Sequence, residues 1–309
     1  MNSPHIPVLL NEVLEGFSHF DSINKPILLD CTLGFGGHSA ALLQRYKALK
    51  IIACDQDEQA LDFCKKRFKT ELESGQITLY KSNFASILER IKGLRISGIL
   101  ADIGVSSFQL DSSERGFGLG ANSLDMRMDK TALKNAKEIV NEYSEGRLEQ
   151  IFSEFGELKM AAKIAAKIIA ARAKSPINTA KELASIIGDE RIKGRSVSIA
   201  KLVFQALRIE VNDELGVLKS LLSSLKDLRP SGARVAIIDF HSLEDRIIKE
   251  SFRAWSKGCV CDPSAMRCEC GGGHALGKII TKKPIMPSAD ELRANPRSSC
   301  AKMRIFEFK

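Results

Sequence analysis

The sequence predicts an α/β protein built on a mostly parallel, seven-stranded sheet that is interrupted by an all-helical block. Three observations carry this. Short apolar runs ending in a carboxylate alternate with helical patterns through the first third of the chain, and the alternation resumes near the C-terminus. Between the two, Asp111 to Ser198 offers helices but no strand.

The first strand, Ile27 to Leu29, is followed by Asp30 and then by Gly34, Gly36 and Gly37 before a helical pattern runs from Ser39 to Tyr46. Glycines let backbone approach a ligand that a β-carbon would push away, and the first helical turn offers unpaired N–H groups. A second strand, Lys50 to Asp55, ends 19 residues after Gly36, where dinucleotide-binding folds place the acid that grips ribose hydroxyls. The glycine pattern alone is weak, because Gly34-x-Gly36-Gly37 lacks the full G-x-G-x-x-G spacing and a ligand-free turn explains it as well. Asp30 adds a constraint: a carboxylate before the turn repels a pyrophosphate but can hold an ammonium group. Ribose hydroxyls, an amino group and no phosphate describe S-adenosylmethionine better than NAD, which stays as the alternative on the glycines and Asp55 alone.

The other elements follow in order. Val8 to Phe17 suits a helix over the edge of the core, and Asp57 caps a helix running to about Leu72. Ile77 to Tyr80 is the third strand, with Phe84 behind it placed to stack on adenine, although an aromatic there is more often core. The fourth strand, Gly98 to Asp102, opens into a polar loop through Gln109. Asp30, Asp55 and Asp102 thus end three of four strands; one such acid is a turn former, but three along one edge make a site.

Helices are expected at Ala136–Tyr143, Glu145–Phe152, Lys159–Ala173 and Ala180–Ile187, so the domains read as 1–110, an insertion at 111–200, and 201–309. Lys159, Lys163 and Lys167 recur every fourth residue on one face, while Met160, Ile164 and Ile168 line another. A solvated face explains the lysines; an RNA-backbone stripe also does, with Arg172, Lys174, Arg191, Lys193 and Arg195 nearby in sequence. An amphipathic helix at Val217–Leu228 then leads into a fifth strand, Arg234 to Phe240, followed directly by His241. Gly277–Thr281 and Lys302–Phe308 complete the sheet, and Asn295 to Ser299 reads as a basic loop suited to phosphate contact.

Composition is that of a globular chain: 309 residues, 44% hydrophobic and 27% charged. A formal charge of +8 points to an acidic partner, nucleic acid first. No apolar run approaches the ~18 residues of a membrane span, and the N-terminus, including His5, lacks the pattern of a secretory signal, so a cytoplasmic location without membrane contact is expected. Of eight cysteines, Cys31, Cys54, Cys64 and Cys300 lie in or near apolar stretches and read as small hydrophobes. Cys259-x-Cys261 and Cys268-x-Cys270 have the composition of a tetrahedral zinc site, but the one-residue spacing is tighter than the usual two to four, so reactive or idle surface thiols are the favoured reading and no metal is assigned.

Six runs taken together resemble a known family. They are Asp30-x-Thr32-x-Gly34-x-Gly36-Gly37-His38-Ser39, Asp102-x-Gly104-Val105-Ser106-Ser107-x-Gln109-Leu110-Asp111, Glu114-Arg115-Gly116-Phe117, Leu124-Asp125-Met126-Arg127-Met128, Phe240-His241-Ser242-Leu243-Glu244-Asp245-Arg246 and Asn295-Pro296-Arg297-Ser298-Ser299. In this order, over nearly the whole chain, they resemble the bacterial MraW family of small-subunit ribosomal RNA methyltransferases. The resemblance implies a Rossmann-like class I methyltransferase with a helical insertion. It also implies methyl transfer from S-adenosylmethionine to N4 of a cytidine in the decoding region of 16S rRNA, with the rRNA or the small subunit as partner and a homodimer left open. Carried over by residue, cofactor contacts fall on Gly36, Gly37, His38, Asp55, Phe84, Asp102 and Gln109. Other amino-methylating enzymes place an Asp/Asn-Pro-Pro-aromatic loop where Asp102 to Ser107 stands here, which leaves the acceptor of the amine hydrogens to be found. Asp102 is expected to position the amine, and His241 or a serine hydroxyl to bind the base or take the proton. A non-catalytic RNA-binding module is the rival from another class; the three strand-end acids argue against it.

Overall fold

The computed structural model describes residues 7–188, 190–191, 197–262, 264 and 267–309; His5, Lys193 and Arg195 lie outside them. In chain order the elements are α1 (Leu10–Gly16), β1 (Ile27–Asp30), α2 (Gly37–Arg45), β2 (Lys50–Asp55), α3 (Glu58–Arg67), α4 (Lys69–Glu73), β3 (Ile77–Lys81), α5 (Ile87–Arg90) and β4 (Gly98–Asp102). Then come α6 (Ser107–Asp111), α7 (Ala136–Glu142), α8 (Glu145–Glu154), α9 (Ala161–Arg172), α10 (Ala180–Ile187) and α11 (Ile199–Asn212). The chain closes with α12 (Glu214–Leu228), β5 (Arg234–Asp239), α13 (Ser242–Trp255), β6 (Gly277–Ile279), α14 (Ala289–Ala294) and β7 (Lys302–Phe308). Two compact units result, one of residues 1–104 with 216–309 and one of 105–215, a wider second unit than the 111–200 read from sequence.

The first unit holds a seven-stranded sheet in the order β3-β2-β1-β4-β5-β7-β6. Strands β1 to β5 pair in parallel; β7 is antiparallel to both β5 and β6. The order reverses between β1 and β4, the switch point at which open α/β sheets bind ligands. Both faces are covered, and the strands split their side chains with a period of two. Leu28, Leu100, Ala236 and Ile238 pack with α1 and α2 on one side, Leu29, Ile99, Val235 and Ile237 with α12 and α13 on the other. That two-sided burial is why these strands are unbroken apolar runs in sequence.

The second unit has its own core, to which Ile139, Leu148, Phe152, Ile164, Ile168, Leu183 and Leu207 contribute. Its irregular stretch before α7 is held by the buried Arg115, whose Nη2 donates to the carbonyls of Arg127 (3.0 Å) and Met128 (3.1 Å), and by a two-pronged Arg127–Asp125 ion pair. The motifs around Glu114 and Leu124 are therefore structural in part.

Three sequence expectations are corrected. The helix from Asp57 to Leu72 is two, because Phe68 leaves helical geometry (φ −105°, ψ 32°) as its ring is buried. Met160 is not on the buried face of α9; it precedes the helix and is 39% exposed. Helix α11, with Leu202, Val203, Ala206 and Leu207 buried, was not anticipated, although its apolar positions recur at helical spacing. No helix among the described residues is long and apolar enough to cross a membrane.

Candidate cofactor site

Four neighbouring strands, β2, β1, β4 and β5, each end in an aspartate: Asp55, Asp30, Asp102 and Asp239. With strands ~4.8 Å apart, the four carboxylates form a row along the carboxyl edge of the sheet, centred on the switch point. The local chain differentiates them. Asp30 is 2% exposed; its Oδ1 accepts from Thr32 N (3.1 Å) and its Oδ2 from Ser39 Oγ (2.6 Å). Burial pushes it up to about 6, against the hydrogen bonds from Ser39 and Thr32. Asp30 therefore holds the turn to the start of α2.

Asp55 is half-buried. Its Oδ2 accepts from Gly34 N and its Oδ1 from Asp57 N, both at 2.8 Å, and burial raises it to about 6 against those bonds. The contact with Gly34 joins the end of β2, at Asp55, to the glycine turn. Gly34 (φ 51°) has nothing within 4 Å of where a β-carbon would lie, which leaves open space over the turn. Gly36 (φ 73°) sits at the N-cap of α2, and a β-carbon there would lie 2.4 Å from the Phe68 ring. Gly37 is closed by Pro7, 2.4 Å from the equivalent position. Gly36 and Gly37 thus shape the turn, and their proposed cofactor contacts are left to the backbone.

Asp102 is the exceptional member. Its N–H donates to Thr32 Oγ1 (2.6 Å), but its own Oδ1 is buried with no hydrogen-bond partner among the described residues. Burial, then the charges of Asp30 and Glu244, push it up to about 8. His38, buried at the start of α2, donates from Nε2 to the Val8 carbonyl (2.8 Å), and its Nδ1 lies 3.7 Å from Asp102 Oδ2. The site therefore presents an unsatisfied acceptor beside a fixed imidazole. Such an acceptor suits an ammonium or an amine N–H.

Asp239 is fully buried, and both its oxygens lack a partner among the described residues. Burial, then the charges of Glu244 and Asp245, raise it to about 8. Sequence reasoning passed over it, although it ends its strand as the other three do. His241 caps α13: its Nδ1 faces Glu244 N at 3.4 Å and its Nε2 lies 3.2 Å from Glu244 Oε1. Glu244 in turn accepts from the N–H groups of Phe240 (3.0 Å) and His241 (3.3 Å). His241 is thus part of a capping box, a positioning role that the sequence reading did not give it. Phe84 follows β3, half-buried against the core face that carries Cys54 and Tyr80. In the other unit, Gln109 is buried in the capping box of α6: Ser106 N donates to its Oε1 (3.0 Å), and its own N–H donates to Ser106 Oγ (3.2 Å).

The chain is similar to several known proteins. The sequence model of the MraW methylase family matches residues 2–309. A curated "Ribosomal RNA small subunit methyltransferase H" of Campylobacter fetus is 56% identical over 309 residues, covering all of this chain and 99% of that protein. The protein of the same name from Campylobacter lari is 54% identical over 313 residues and covers both chains completely. Among solved structures, an rRNA methylase from Streptococcus thermophilus overlays with a TM-score of 0.40 at 11% identity, covering 98% of each chain.

Proposed function

The chain belongs to the MraW methylase family, and from that premise we infer that it methylates N4 of a cytidine in the decoding region of 16S rRNA. It is an S-adenosylmethionine-dependent rRNA methyltransferase on a Rossmann-like fold. The observation that supports the finer reading is the buried, unpartnered Oδ1 of Asp102 at the switch point.

The residues fit the cofactor. Asp55 has the position of the ribose acid, the backbone at Gly34 is open to approach, Phe84 follows the neighbouring strand β3, and Asp102 is an acceptor for a cation. When bound, S-adenosylmethionine supplies an electrophilic methyl group on a sulfonium. The remaining work falls to the protein. An exocyclic cytosine nitrogen is a poor nucleophile because its lone pair is delocalised into the ring. A carboxylate that accepts one amine hydrogen localises that pair and holds the nitrogen in line. Asp102 is the group for this, its backbone N–H held by Thr32 and its carboxylate flanked by the His38 imidazole, and that carboxylate can receive the proton released after transfer. His241 acts through Glu244 to fix the turn after β5.

For the nucleic acid, Lys159 and Lys163 are exposed, Lys167 is exposed with its ammonium 3.4 Å from the Ile187 carbonyl, and Arg297 stands on an exposed 3₁₀ turn. These cations suit phosphate contact, and the target base must be taken out of its stack to reach the carboxyl edge. The substrate form is 16S rRNA or the small subunit, and parallel incubation with each tells which one is methylated. Activity as a monomer or homodimer is decided by sedimentation of the active species. The deciding experiment is incubation with labelled S-adenosylmethionine and undermodified small subunits, with the label located by mass spectrometry. Label on N4 of one decoding-region cytidine is expected; label on a ring carbon or a ribose oxygen refutes the reading.

A further inference from the structure

The loop between α13 and β6 contains an arrangement that methyl transfer does not use. Its residues 256–275 contribute none of the described core positions, and Val260 is 63% exposed, so apolar packing does not hold it. Four unbonded cysteines converge there. The sulfurs of Cys259, Cys268 and Cys270 form a near-equilateral triangle, with edges of 3.6, 3.7 and 3.6 Å, and Cys261 completes a group in which all four lie within 4.8 Å of one another.

The geometry points to a closed four-thiolate site for a divalent zinc ion. A tetrahedron with metal–sulfur bonds of ~2.3 Å has sulfur–sulfur edges of about 3.8 Å, close to the edges of the triangle. A disulfide needs ~2.05 Å and would join two of the sulfurs while excluding the others. The chain also prepares the charge. Backbone N–H groups of Glu269 and Cys270 point at Cys261 Sγ (both 3.2 Å), and that of Val260 at Cys270 Sγ (3.4 Å). Such donors stabilise thiolates and orient them toward a cation. The one-residue spacing that obscured the site in sequence is accommodated because two Cys-x-Cys arms meet from opposite sides of the loop. His274 is no ligand in this arrangement: its Nε2 lies 3.0 Å from the Cys270 carbonyl, and its N–H donates to Gly258.

Four protein ligands leave no open position, which makes the ion structural. Its place agrees. Helix α13 starts beside the carboxyl end of β5 and spans 14 residues, so the loop lies roughly 20 Å away at the amino edge of the sheet. There it sets the entry to β6 and, through Gly273, receives the Lys309 ammonium at 3.2 Å. Thiolate ligands in a tetrahedron select zinc over harder divalent ions.

The test is metal analysis of the full chain purified under reducing conditions from zinc-supplemented cells. About one zinc per chain is expected. Cys268→Ser should lose it, whereas Cys300→Ser, at an exposed cysteine outside the cluster, should keep it. Replacement by cobalt should give thiolate charge-transfer and intense visible bands of a tetrahedral centre, a readout on the wild-type chain that stands even if Cys268→Ser fails to fold. S-adenosylhomocysteine affinity of the stripped chain should stay within about twofold, while hydrogen exchange rises across residues 256–279. Absence of zinc and of a cobalt spectrum, iron in its place, metal retained by Cys268→Ser, paired disulfides in the native chain, or loss of S-adenosylhomocysteine binding on stripping would each overturn the assignment.

Discussion

At the residue scale, the four strand-end acids share a type and a position but not a role, because their hydrogen bonds differ. Asp30 and Asp55 spend oxygens on Thr32, Ser39, Gly34 and Asp57, while Asp102 Oδ1 and both oxygens of Asp239 are unpartnered among the described residues. Asp102→Asn keeps the shape and removes the charge, so kcat should fall about 10²-fold or more, with S-adenosylhomocysteine affinity measured alongside to separate a lost ammonium contact from a lost amine acceptor. Near-normal turnover would show that an ionised acceptor is not needed. Because Asp102 is raised to about 8, wild-type turnover should climb as pH rises from about 6 through about 8 as the carboxylate forms, and this limb should vanish in the variant. Asp239 carries a stability argument of definite sign. Its carboxyl is raised from 3.8 to about 8, so between those values the folded state keeps a proton that the unfolded state has lost, and stability falls as pH rises. Asp239→Asn should therefore raise the melting temperature, by an increment that grows from about pH 5 to about pH 8. An increment that shrinks over that range would contradict the burial cost assigned to Asp239.

At the scale of elements, the glycine turn couples β1, β2 and α2 into one unit. Gly36 meets two demands at once, a left-handed backbone and a neighbour, Phe68, that leaves no room for a β-carbon. Gly36→Ala should cost at least about 2 kcal/mol from backbone strain and overpacking together, read as a lower denaturation midpoint at unchanged slope. A smaller loss would mean that Phe68 yields easily. Helix α3 is capped by Asp57, whose side chain accepts from Gln59 N, and Asp57→Ala should cost about 1 kcal/mol. The C-terminal strand is tied to α13 by Arg304 Nε donating to Asp245 (2.6 Å), with Lys302 at 3.5 Å; these cations hold the half-buried carboxyl below the usual range against its burial.

At the scale of the whole molecule, a formal charge of +8 bears on partners and solubility rather than on the fold. If Lys163 and Lys167 both meet phosphates, replacing them with Gln should reduce the salt dependence of rRNA binding by roughly 1.5 in log–log slope. An unchanged slope assigns both to a solvated face. The same change should leave S-adenosylhomocysteine affinity untouched, since Asp55, Phe84 and Asp102 lie in the other compact unit.

The sequence by itself determined the alternation of strands and helices, the interruption by a helical block, the strand-end acids and the glycine turn. All are local: a buried strand must be apolar on both faces, a turn of positive φ needs glycine, and a carboxylate ends a strand within a few residues of where it acts. What only the tertiary structure decided are relations between distant parts. It made Asp30 a turn holder, left Asp102 Oδ1 without a partner among the described residues, and added Asp239 to the row. His241 became a cap, and two Cys-x-Cys arms met in a four-sulfur cluster. Sequence spacing records which groups are near along the chain, whereas hydrogen-bond partners, burial and ligand geometry depend on groups that only folding brings together.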